Sequence, residues 1–117
     1  MKYFKLYEFD SPDQPGSGKN MQASTLDLLD QCREVAGIPF IITSGHRTAS
    51  HNQKVGGTEN SSHLRGYAVD VECNNSKDRY KIVQSALSVG FNRIGISGSF
   101  IHLDNDPAKT PNVIWTY

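Results

Sequence analysis

Apolar positions along the chain change period several times, and each change marks an element. The opening KYFKLYEF alternates apolar and polar residues as a strand does, and DSPDQPGSGKN after it is a Pro-, Gly- and Ser-rich loop. From Met21 the apolar residues Leu28, Leu29, Cys32, Val35 and Ala36 share one face at helical spacing. Ser24 with Asp27 resembles a capping box, and Gly37 followed by Pro39 ends the helix. PFIITS is short and β-branched, a buried strand. The stretch GHRTASHNQKVGGTENSSHLRG, residues 45–66, is too polar to be a core element and reads as a long loop, the kind of segment that carries function.

YAVDVEC is the next strand, with Tyr67, Val69, Val71 and Cys73 on one side and Ala68, Asp70 and Glu72 on the other. A second helix is expected from about Lys77 to Val89, with Asn75 or Ser76 as N-cap, Tyr80, Ile82, Val83, Ala86, Leu87 and Val89 as its apolar residues, and Gly90 as its stop. NRIGIS and SFIHLD form a hairpin around SGS, which sets Phe100, His102 and Asp104 on one face, opposite Ile101 and Leu103. The order predicts an α+β fold, an antiparallel sheet with packed helices. With no repeat and no boundary in sight, residues 1–117 are expected to form one domain.

Charge and composition narrow the partners. Twelve Lys and Arg balance twelve Asp and Glu, so the chain lacks the basic footprint of a nucleic-acid binder. No apolar run approaches the ~18–20 residues of a membrane span. MKYFKLYEFDSPDQ has acidic and aromatic residues where a signal peptide carries its apolar core, so synthesis in the cytoplasm without a leader is expected. Cys32 and Cys73 have neither CxxC spacing nor the density of a disulfide scaffold, and are expected as reduced core residues. A monomer is the expected state.

Candidate chemistry centres on one loop residue and two strand residues. His63, Asp70 and His102 together make up the three-ligand count of a catalytic zinc site, which leaves a fourth position for water. His63 and Asp70 are separated by a Gly66 turn rather than by the i, i+4 spacing of a helical motif. On spacing alone, a structural His–Asp hydrogen bond is the commoner reading of such a pair.

The wider pattern S-G-H-R-T-x6-V-G-G-T-x-x-S-S-H-x-x-G-Y-A-V-D over residues 44–70, with FIHLD closing at 104, resembles the zinc peptidases of the M15 family. These D-alanyl-D-alanine peptidases share a fold with the signalling domain of hedgehog proteins. Their signature S-x-H-x-x-G-x-A-x-D is matched by Ser61, His63, Gly66, Ala68 and Asp70. The resemblance implies that His63, Asp70 and His102 hold one Zn2+ per chain. It also implies that Arg47 reaches a carboxylate or carbonyl of the substrate, a role that suits a permanently charged fork of donors. Ser61 is a candidate for orienting substrate or loop. The substrate class implied is peptidoglycan stem peptide, cleaved as carboxypeptidase or endopeptidase. So small a chain without an export signal resembles a phage-type enzyme that reaches the wall after lysis or delivery.

One departure stands out. Several members of the family place an acidic general base three positions before the last histidine ligand, and Ser99 occupies that position here. Asp104, on the His102 face, is the nearest substitute, either as base or as a partner that holds the His102 ring. Glu72 shares the Asp70 face but reads as solvent-facing, and His46 and His51 are loop residues at the edge of a groove. The missing acid favours the alternative, a non-catalytic zinc-containing domain of the hedgehog-like kind.

Overall fold

The computed structural model describes all 117 residues. Its sheet is built from β1 (Ile42–Ser44), β2 (Ala68–Glu72), β3 (Arg93–Ile96), β4 (Phe100–Asp104) and β5 (Val113–Thr116), in the order β1-β2-β4-β3-β5. The helices are α1 (Ala23–Ala36), α2 (Ala49–Lys54) and α3 (Ser76–Val89). The α+β fold read from the sequence is the fold observed. The sheet, however, is mixed, because β5 pairs with β3 in parallel while every other pairing is antiparallel.

Strand alternation divides the sheet into two faces. Val69, Val71, Ile94, Ile101 and Leu103 are fully buried and join Leu29 and Cys32 of α1 and Ile82 and Ala86 of α3 in a single apolar cluster. The opposite face carries a row set by register: Ser44 pairs with Asp70, Asp70 with His102, His102 with Gly95, and Gly95 with Trp115. Paired residues point the same way, so the polar row spans all five strands. Gly95 is required within it, because a Cβ there would lie 2.6 Å from Trp115 Nε1.

Several expectations are corrected. The opening segment is not a strand but contains a 3-10 helix, Leu6–Phe9. The main-chain N–H groups of Lys2 and Tyr3 donate to the Asp30 carboxylate of α1, and that of Lys5 to Glu8, so no sheet partner claims them. Its buried residues, Phe4 and Phe9, are five apart rather than alternating. The Ser24–Asp27 capping box is absent: α1 begins at Ala23 after Gln22, and the Ser24 hydroxyl instead accepts from Asn105. Gly37 closes α1 in the left-handed conformation, and Asn75 caps α3 by accepting from the Asp78 N–H, both as expected. Val35, Tyr80 and Leu87 point to solvent, outside the faces assigned to them.

The polar stretch 45–66 is not all loop. Thr48 caps α2 by accepting the His51 N–H, and a 3-10 helix, Ser62–Arg65, precedes Gly66. Both elements are polar, so no hydrophobic period betrayed them. Gly66 adopts a φ of 77°, and a Cβ there would meet the Asn20 carbonyl oxygen at 2.2 Å, which accounts for the glycine of the signature.

Candidate metal centre

Asp70 and His102 face each other across the β2–β4 ladder, and the 3-10 helix after Ser61 brings His63 to them from the loop. All three are buried, and one ligand atom from each lies within 4.8 Å of the others. His63 Nε2 is 3.3 Å and His102 Nδ1 3.1 Å from the same oxygen, Asp70 Oδ1. The other ring nitrogens are already engaged. His63 Nδ1 lies 2.7 Å from the carbonyl oxygen of Gly45, which can only accept, so Nδ1 carries the proton. His102 Nε2 lies 2.6 Å from Asp104 Oδ2 and donates to it. Two imidazole lone pairs and a carboxylate oxygen are thereby turned toward one point, the arrangement of donors that a cation satisfies.

The protonation behaviour of the cluster follows from its burial and its neighbouring charges. Burial pushes His63 below the ordinary histidine value, which keeps the ring neutral and able to ligate. For His102, burial acts in the same direction but is outweighed by the carboxylates of Asp104 and Asp70, which raise it. Burial would raise the Asp70 carboxyl, yet the bonds from His102 and His63 prevail and hold it well below the usual carboxylate range. The Asp70 carboxylate charge is therefore held at the centre, where it attracts positive charge, whether a proton on His102 or a cation.

Further side chains secure the frame. Arg47 Nη2 lies 3.3 Å from Asp70 Oδ2, while its Nε donates to Ser44 and its Nη1 to Asn52. Asp104 Oδ1 faces Arg93 Nε at 2.9 Å and accepts the Asp106 N–H, so both oxygens of this buried carboxylate are occupied. The Ser61 hydroxyl accepts the His63 N–H and starts the turn that carries His63. Asp106 holds the same turn from the other side through Ser62 and Arg65.

The cluster forms the floor of an open cavity of about 640 Å³. Arg47, His51, Ser61 and Asp104 line it together with the three cluster residues. His46 does not: it is buried, and its N–H donates to the Phe9 carbonyl. Glu72 and Ser99 are exposed and lie outside the cavity lining. Arg93, Lys109, Trp115 and Tyr117 do line it and were not anticipated from the sequence. The lone tryptophan in an alternating VIWTY was the available signal for the last two.

A family model described as Peptidase M15 matches residues 4–104. The chain belongs to this peptidase family. The match spans the whole signature and the closing FIHLD, so the M15 resemblance read from the motif is borne out, and the hedgehog-like fold expected with it agrees with the observed α+β architecture. No curated protein matches the chain. The cavity of this M15 member also draws on β5, which lies beyond the matched stretch.

Proposed function

We propose that this M15 member is a zinc-dependent peptidase that cleaves peptidoglycan stem peptides, as a carboxypeptidase or endopeptidase, with one Zn2+ held by His63, Asp70 and His102. The observation that carries the reading is the convergence of the three donors, backed by Arg47, on the floor of an accessible cavity. A zinc ion held there would supply a Lewis acid that polarises the scissile carbonyl and lowers the pKa of water to about 7. Arg47 is pinned by Ser44, Asn52 and Asp70, and its remaining N–H donors are available to a substrate carboxylate or carbonyl. Asp104 acts through His102, fixing the ring with Nδ1 toward the centre. That position favours holding the ring over serving as base, since neither carboxylate oxygen is free. Ser61 orients the turn that delivers His63. A single domain acting as a monomer on the wall, after lysis or delivery, completes the proposal.

A second reading has one observation in its favour. No carboxylate in the cavity is free to move a proton, because Asp70 belongs to the cluster, Asp104 is engaged on both oxygens, and Ser99 lies outside. That suits a zinc-containing binding domain without catalysis.

Metal content and muropeptide hydrolysis, measured on the same preparations, separate the two. The wild type is expected to carry one zinc per chain and to cleave. His102→Ala is expected to lose both, whereas Arg47→Lys keeps the metal and loses roughly 10²-fold in kcat, the scale of one removed transition-state donor. Zinc without cleavage by the wild type would favour the binding domain, and a wild type that takes up no metal would sink both readings.

A further inference from the structure

β5 lies outside the family-matched stretch, yet it builds one wall of the cavity. Its parallel pairing puts Trp115 opposite Gly95, where the indole lies 5.2 Å, centroid to centroid, from the His102 ring and is covered by the Arg93 guanidinium. Alternation returns to the same face two residues later, at Tyr117. The Tyr117 N–H donates to the Ile96 carbonyl, and its ring packs against Phe100 with centroids 5.1 Å apart. The backbone and one ring face are thus fixed, while 69% of the residue stays exposed on a cavity it shares with Arg47, His63, Asp70 and His102.

Most other hydroxyls near the floor are engaged. Ser44 accepts from Arg47, Ser61 accepts the His63 N–H, Ser62 donates to Asp106, and Thr43 donates to the Asp70 carbonyl. The Tyr117 hydroxyl, by contrast, makes no hydrogen bond within the protein and stands on the exposed side of the same cavity. A phenol with an ordinary pKa of ~10 already keeps its proton at neutral pH, and partial burial of the ring raises it further. A fixed neutral donor beside a cationic centre is the device that stabilises charge developing on a carbonyl oxygen.

We infer that Tyr117 is a catalytic residue whose hydroxyl donates a hydrogen bond to the carbonyl oxygen of the peptide bond being cleaved, its ring held against Phe100. The inference rests on the peptidase reading above. It adds a neutral donor to the charged one supplied by Arg47, from a strand outside the matched stretch.

Tyr117→Phe keeps the ring contact with Phe100 and removes only the hydroxyl. The test compares this variant with the wild type, both zinc-loaded, in muropeptide kinetics and in calorimetric binding of a phosphinate peptide, a non-hydrolysable tetrahedral analogue. The expected result is a kcat lower by about 10²-fold with KM changed less than about twofold, unchanged zinc content, and a comparable loss of phosphinate affinity. Equal kcat and equal phosphinate affinity in the two proteins would overturn the assignment. A rise in KM alone would also overturn it, reducing Tyr117 to a groove wall. If the wild type binds the phosphinate without cleaving muropeptides, the substrate reading fails, and the affinity ratio still decides the tyrosine. No phosphinate binding by the zinc-loaded wild type would overturn both.

Discussion

Asp104 stands between His102 and Arg93, with Oδ2 at 2.6 Å from the imidazole Nε2 and Oδ1 at 2.9 Å from the guanidinium Nε. Only 1% of its side chain is exposed. One buried carboxylate thus fixes which nitrogen of His102 is free and holds a cation beneath the Trp115 ring.

Asp104→Asn retains the size of the side chain but loses its charge, and its single carbonyl oxygen cannot serve both partners. Zinc affinity should fall by about 10- to 100-fold, the usual scale for losing an outer partner of a histidine ligand. Competition against a chromophoric chelator measures this directly. An unchanged affinity would show that Asp104 does not act through His102.

Asp106 gives the fold a pH dependence of known sign. Burial would raise its carboxyl, but Ser62, the Ala108 N–H and Arg65 outweigh burial and hold it below the usual carboxylate range. With the unfolded value near ~3.9, folding releases protons in acid. The stability contributed is therefore complete above the unfolded value and is lost as pH falls through the lower folded one. In urea melts, Asp106→Asn should trail the wild type most at pH 7, and the gap should narrow below about pH 4. A gap as wide at pH 3 as at pH 7 would assign the cost to shape rather than charge.

Gly95→Ala would drive a methyl group into the indole at 2.6 Å. Relief requires Trp115 to move off His102, at a cost of about 1–3 kcal/mol in stability. The chain has one tryptophan, so the displacement should appear as a shift in its emission, with zinc retained by the three ligands. An unaltered spectrum would mean that the close approach relaxes elsewhere.

Much of this molecule could be read before folding. The alternation of YAVDVEC and SFIHLD correctly assigned Asp70 and His102 to the polar sides of their strands, and the signature glycine and histidine lie where the motif required. What escaped was structure held by polar bonds rather than by apolar period. α2 and the turn bearing His63 depend on the local Thr48 and Ser61 caps, set in polar runs without an apolar period, and on Asp106, which reaches Ser62 across 44 residues. β5 escaped for a different reason: four residues after a Pro-containing loop give too short a run, and a parallel partner twenty positions away leaves no hairpin signal. The N-terminal error came from reading alternation in a segment whose main-chain donors turn to the Asp30 and Glu8 side chains.

The ladder between β2 and β4 places Val69 opposite Leu103 on one side and Asp70 opposite His102 on the other. A slip of one residue would carry the aliphatic side chains of one strand into water and its ligand into oil. The oil-filled side of the sheet therefore acts as the alignment gauge for the wet side. The free energy that drives collapse of the core also sets the spacing of Asp70 and His102, and the latched turn brings His63 to a pair that the core has already aligned.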